Sequence, residues 1–275
     1  MTGRKGSLIG ERAIPLDHTR PGNLQDIVLG TMRQEIEKLQ RETEAMAAGE
    51  LLGYVVRRFG DKVALASSMG AEDQVITDML VKSGLPVRIF TLDTGRLAQE
   101  TYDTIAATNE KYDIRIKMLF PDRDSVEKMV HENGPNLFYE GVENRKLCCR
   151  IRKIIPLQRE LATLDGWITG LRREQSVTRD AVGRIAEDEA NGLIKINPLA
   201  DWTTEQVWDY IRSRDIPYNP LHDQGYPSIG CAACTRAIGE GQDIRDGRWW
   251  WETPEQKECG LHVVDGKLIR KNGDG

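Results

Sequence analysis

The sequence predicts an α/β protein: a mostly parallel sheet with helices on both faces and a loop-rich C-terminal lobe. Two observations carry this. Short apolar runs at 63–66, 87–92, 114–119, 167–169 and 193–196 alternate with amphipathic helical stretches, and strands separated by helices pair in parallel. After Pro217 both periodicities fade into a Gly- and Pro-containing segment with three consecutive Trp, 249–251.

The elements follow in order. Residues 1–24 are rich in Gly, Arg and Pro and lack periodicity, which predicts a flexible arm. Met32, Ile36, Leu39 and Met46 recur at helical spacing over 31–48, and a second helix covers 51–59. The strand at 63–66 runs into a polar turn, 67–73, and a helix over 74–82 that Gly84 and Pro86 stop. The strand at 87–92, the turn Asp93-Thr94-Gly95 and a helix over 97–110 repeat the unit. The strand at 114–119 and a helix over 125–132 continue it. A helix over 149–164 is bent or restarted by Pro156. A strand at 167–169, a polar turn over 170–180 and a strand at 193–196 come next. Thr203 and Gln206 then form a capping-box signal opening a helix through Arg214. The division expected is an arm over 1–24, an α/β nucleotide-binding domain over 25–217 carrying Cys148-Cys149, and a lobe over 218–275. That lobe holds Cys231, Cys234 and a mobile segment around Cys259.

Composition narrows the function. Lys and Arg number 38 against 43 Asp and Glu, a net charge of −5, so no global basic field favours nucleic acid. No apolar run approaches the roughly 20 residues that cross a bilayer, and the N-terminus shows no secretory h-region, so a cytoplasmic protein without membrane attachment is expected. Five cysteines in that setting point to metal or thiol chemistry rather than a disulfide framework.

Four of those cysteines form two clips, Cys148-Cys149 and Cys231-Ala232-Ala233-Cys234; Cys259 stands apart. Four thiolates in two clips match a [4Fe–4S] cluster or a four-cysteine zinc site. Adjacent cysteines are awkward ligands for one small ion but reach two corners of a cuboidal cluster, so the spacing favours iron–sulfur. Cys259 lies among polar residues with Gly260 after it, as an exposed thiol would. His262 is a candidate base for it, though a local polar contact explains the same spacing. His18, His131 and His222 have no partner pattern, and the Trp run reads as a packing platform.

The strand–turn–helix ALASSMGAEDQV has the shape of an anion site: backbone N–H groups of a Ser/Gly turn face outward at a helix N-terminus. Plain helix capping is the competing reading. Asp93-Thr94-Gly95 falls at the C-terminal edge of the same sheet, where open α/β sheets bind ligands. Arg150, Arg152, Lys153, Arg172, Arg173, Arg179, Arg236, Arg245 and Arg248 cluster beside turns and cysteines, which in an acidic chain suggests a small polyanionic ligand.

On the strings SSMGAED, TLDTGRL, KLCCRIRK followed by PL, ITGLRREQS with TR, IPYNPLHDQGYPSIGCAACTR and KECGLH, the chain resembles the assimilatory adenylylsulfate (APS) reductases within the wider APS and phosphoadenylylsulfate (PAPS) reductase family. The strings span about residues 60–262. The resemblance implies an adenine nucleotide α-hydrolase-like fold and reduction of APS to sulfite and AMP in sulfate assimilation, with thioredoxin as reductant. A homo-oligomer is expected. By position it implies Cys259 as nucleophile and Cys148, Cys149, Cys231 and Cys234 as ligands of a [4Fe–4S] cluster. It implies Ser67, Ser68, Gly70, Asp73, Leu92, Asp93, Gly95, Lys153, Gly170, Arg179, Arg245, Arg248 and His262 as substrate contacts. Two positions depart from the family pattern: Met69 stands where Ser is common and Ala98 where His is frequent. PAPS reduction is the nearest alternative. An ATP-dependent thiolation enzyme would want an SGGxDS-type loop, and an iron–sulfur redox sensor leaves Cys259 and the nucleotide loops unexplained.

Overall fold

The computed structural model describes residues 24–175, 182–239 and 241–253 of the 275-residue chain. The expected arm up to residue 23, Arg179, Cys259 and His262 lie outside the described residues.

Two helices, α1 (Leu24–Thr43) and α2 (Ala48–Phe59), precede β1 (Val63–Ala66). Then come α3 (Ala71–Lys82), β2 (Arg88–Leu92), α4 (Gln99–Tyr112), β3 (Lys117–Leu119), α5 (Arg123–Asn133), α6 (Val142–Cys149), α7 (Ile155–Leu161), β4 (Gly166–Ile168), β5 (Ile185–Asp188), β6 (Leu193–Ile196) and α8 (Thr204–Ser213). The six strands form one sheet in the order β3-β2-β1-β4-β6-β5, parallel except for β5 against β6.

Alternation along β1 sorts the core into two layers. Val63 and Leu65 pack with Leu51, Val55, Val75, Leu80 and Ile211 from α2, α3 and α8, while Ala64 packs with Phe90, Leu157, Leu161 and Trp167 on the opposite face. Each fully buried Leu, Ile or Val of this kind contributes about 1.5–3 kcal/mol against exposure. The chain builds outward from β1 to β2 and β3, then returns to the other side of β1 with β4. That reversal creates a switch point between β1 and β4, where the outgoing loops part and leave a crevice.

Local structure differs from the sequence expectation in several places: α1 begins at Leu24 and ends at Thr43 rather than covering 31–48, and β3 takes only Lys117–Leu119 of the expected 114–119. The helix after β1 starts at Ala71 rather than 74, since Gly70 in extended geometry acts as its N-cap. The single helix expected over 149–164 is three pieces: α6 ends at Cys149, a π-helical turn covers Arg150–Ile154, and α7 follows. Pro156 explains the break, because it has no amide to donate and its ring crowds the carbonyl four residues back, so the helix widens by one residue just before it. Strand β5 was not expected; only half of IAED is apolar, and its strand state comes from pairing with β6 and from Trp167 Nε1 donating to Asp188 Oδ2 at 3.0 Å. The capping box is as expected: Gln206 N donates to Thr203 Oγ1 at 3.1 Å and Thr203 N to Gln206 Oε1 at 2.8 Å.

Candidate active site

A cavity of about 270 Å³ opens at the switch point. Its floor is the turn after β1. Ser68 donates from N and Oγ to Asp73 Oδ2, at 2.6 and 2.7 Å, and Ser67 Oγ accepts from Met69 N at 3.1 Å. These bonds tie the turn's own amides to Asp73 and Ser67 and fold it over the N-terminus of α3, whose partial positive charge faces the cavity. Met69 takes a left-handed φ of 63° and is 1% exposed, so its thioether fills the core beneath the turn; the side chain at this position is turned away from the cavity. Burial pushes the Asp73 carboxyl up to about 6, against the hydrogen bonds from Ser68 and with the help of Glu72.

The turn after β4 forms the facing wall through Thr169, Gly170, Leu171 and Gln175. The two walls nearly touch. An ideal Cβ on Gly170 would lie 2.5 Å from Asp73 Oδ1 and 2.8 Å from Glu72 Cβ, so only glycine fits.

Cations close the cavity from the far side. Lys153 reaches it from the π-helical turn, and Arg245 and Arg248 from the segment after the second cysteine clip. Arg248 is poorly satisfied: Nη1 meets Ser228 Oγ and Ile229 O only at 3.4 Å each, and its buried Nε has no partner among the described residues. A guanidinium with a spare donor at the wall of this cavity is equipped for an oxyanion.

The four cysteines expected to act together meet in one place. Cys148, Cys149, Cys231 and Cys234 belong to one apolar cluster with Met129, Phe138, Trp249 and Trp251. Cys231 also lines the cavity, and its Sγ lies 3.2 Å from Thr94 Oγ1. The clip is held by Ala232 N donating to Arg96 O at 2.8 Å and Tyr139 Oη donating to Ala233 O at 2.8 Å. Burial, reinforced by the neighbouring thiols, drives Cys234 up to about 12; burial also raises Cys148, with Arg152 opposing. Buried sulfur donors such as Cys148 and Cys234, whose thiolate form is disfavoured by burial, fit a cationic iron–sulfur core, which would offset that penalty. Among the described residues no group of three or more His, Cys, Asp or Glu side chains is placed to hold a single metal ion. A polynuclear cluster does not require that convergence, because its ligands sit at separate corners.

Of the residues expected at the substrate, Ser67, Ser68, Gly70, Asp73, Leu92, Lys153, Gly170, Arg245 and Arg248 line this one cavity. Asp93 and Gly95 do not line it: the Asp93 carboxylate is occupied by Gly95 N at 2.7 Å and Tyr102 Oη at 3.0 Å, and so shapes the turn. Thr94, from the turn expected at the ligand edge of the sheet, also lines it, as do His222 and Trp249, which the sequence does not mark as contacts. His222 was set aside for want of a partner pattern, yet its Nε2 is buried and unpartnered among the described residues, with the ring edge-on to Trp208 at 5.2 Å. Burial lowers its pKa.

The fold and cavity define an α/β protein with a cation-lined cavity at the switch point of a mostly parallel sheet, beside a four-thiol cluster. The phosphoadenosine phosphosulfate reductase domain matches residues 62–237. The chain is 54% identical over 220 residues to adenosine 5'-phosphosulfate reductase of Allochromatium vinosum, covering 80% of this chain and 86% of that one. It is 51% identical over 234 residues to the enzyme of the same name from Burkholderia cepacia, covering 84% and 94%. In three dimensions it resembles the phosphoadenylyl-sulfate reductase of Candida auris, with TM-score 0.64, 30% identity, and 75% and 97% of the two chains covered. The chain belongs to the APS/PAPS reductase family of sulfate-reducing oxidoreductases. No helix among the described residues is long and apolar enough to cross a membrane.

Proposed function

We propose that this chain reduces adenylylsulfate to sulfite and AMP, using Cys259 as nucleophile and a thioredoxin as reductant. The observation that carries the reading is that one cavity joins the Ser67–Gly70 turn, the cations Lys153, Arg245 and Arg248, and Cys231 of the thiol cluster. The names of the relatives favour APS over its 3'-phosphorylated form. Cys148, Cys149, Cys231 and Cys234 would hold a [4Fe–4S] cluster, which when bound would cross-link the two cysteine clips and so keep the cavity wall that Cys231 lines rigid.

The residues divide the work. The three cations and the partial positive charge at the N-terminus of α3 neutralise the phosphosulfate, which makes AMP a better leaving group. Arg179 and His262 are proposed as further contacts. The Cys259 thiolate attacks the sulfonyl sulfur and the bond from sulfur to the bridging oxygen breaks, giving an S-sulfocysteine and AMP. A thioredoxin thiolate then attacks the Cys259 sulfur, expelling sulfite and leaving a mixed disulfide that the second thioredoxin thiol resolves. Electrons balance: one dithiol is oxidised as one sulfonyl group is reduced.

Intact-mass measurement after incubation with APS and no reductant tests this. The chain should gain one SO3 group on Cys259 and release it as sulfite on addition of reduced thioredoxin. An adduct elsewhere, or a Cys259→Ser variant that still turns over, sinks the mechanism; adduct formation with PAPS in preference to APS shifts the substrate instead.

A further inference from the structure

The sequence groups Arg172 with the cations expected around the ligand. In the structure it is 1% exposed and is not part of the cavity wall that Lys153, Arg245 and Arg248 form. Its guanidinium reaches three segments at once. Nε donates to Glu72 Oε1 at 2.8 Å, Nη1 to Glu174 Oε2 at 2.8 Å and to Trp202 O at 3.0 Å, and Nη2 to Thr204 Oγ1 at 3.1 Å. Glu174 Oε2 in turn accepts from Thr204 N at 2.6 Å and Thr204 Oγ1 at 2.9 Å. Glu72 lies in the first turn of α3, Glu174 in the turn after β4, and Thr204 at the start of α8.

Two of those segments are the facing walls of the cavity, and they meet at the Gly170–Asp73 contact, where no further approach is possible. A buried ion pair is weak evidence of stabilisation for its own sake, since apolar replacements of similar volume are often as stable. The planar fork does supply fixed directions, which an ammonium on a flexible stem does not. We propose that Arg172 is a positioning residue that sets the spacing of the two loops around the ligand cavity, and through it the affinity for the nucleotide. The choice of nucleotide rests on the APS reading above; the spacing does not.

Two measurements test the clamp. Without ligand, amide hydrogen exchange of Arg172→Met and Glu174→Gln should quicken in residues 67–74 as well as 170–175. Glu174→Gln serves because its half-exposed carboxylate can be removed without stranding a buried charge. Unchanged exchange in 67–74 in a folded variant overturns the proposal, whatever the enzyme's substrate. With APS, KM should rise about tenfold in Arg172→Met, and to a similar extent in Arg172→Lys, with kcat within about threefold of wild type. The KM of Glu174→Gln should rise about threefold, and AMP titrations should weaken in parallel. Rescue by Lys, or a loss confined to kcat, overturns the positioning role. A wild-type enzyme inert toward APS and AMP would refute the functional reading, with the exchange data still deciding the clamp.

Discussion

Arg145 and Glu252 form a buried two-pronged ion pair, Nε to Oε1 at 3.0 Å and Nη2 to Oε2 at 2.8 Å, with side chains 1% and 3% exposed. The Arg145 guanidinium also stacks on Trp249, 4.5 Å from the ring centroid. The pair ties α6, which ends in Cys148-Cys149, to the segment carrying Arg245 and Arg248. It therefore holds the cysteine clip and the cavity's cations in one frame. Glu252→Ala strands a buried guanidinium and should cost about 3–5 kcal/mol, whereas the double variant Arg145→Met/Glu252→Leu should recover most of it. Urea unfolding of the single and double variants checks this; equal losses in both would show that the pair itself, not the stranded charge, matters.

Asp73 should make stability depend on pH. Its folded pKa is raised from 3.8 to about 6, so the folded state holds the proton more tightly than the unfolded chain. The contribution of the protonated carboxyl is complete below pH 3.8 and is lost as pH rises to about 6. The shift corresponds to about 3 kcal/mol. Asp73→Asn should therefore flatten the fall in unfolding free energy between about pH 4 and 6 and be the more stable protein at about pH 7. An unchanged slope would place the titration elsewhere.

Gly170→Ala should force the turn after β4 away from Glu72 and Asp73, because the added methyl meets a buried carboxylate and the side chain of α3's first turn. The expected result is an APS KM raised by about tenfold or more with modest loss of Tm. A variant with wild-type KM would mean that the two walls separate without consequence.

Lys153→Ala and Arg248→Ala each remove a charged donor from the cavity. Each should cost about 1.5–3 kcal/mol in kcat/KM for APS while adenosine binding stays nearly unchanged. Adenosine binding weakened as strongly would move these residues to the base or sugar.

Ser at Cys148, Cys149, Cys231 or Cys234 should abolish the brown colour and iron content expected of anaerobically purified protein; Ser at Cys259 should leave both intact. Colourless wild-type protein carrying one zinc would replace the cluster.

The sequence by itself determined the parts whose cause is local. Apolar runs and helical periodicity marked the strands from Val63–Ala66 to Leu193–Ile196, Thr203 and Gln206 announced α8, and the Ser/Gly turn before α3 carried its own geometry. The spacing of the two cysteine clips could be read for the same reason, since a clip needs only neighbours in the chain. Tertiary structure alone decided what depends on residues far apart. β4 settles beside β1 and so opens the crevice, and β5 becomes a strand only through β6. Cys148-Cys149 meets Cys231 and Cys234 across some 80 positions of sequence because α6 and the later clip pack into one apolar cluster. Arg172 was indistinguishable from its basic neighbours until Glu72, Glu174 and Thr204 converged on it. Charge and residue type are written in the chain, but which partner desolvates or pairs a side chain is set by packing between segments that local pattern does not encode.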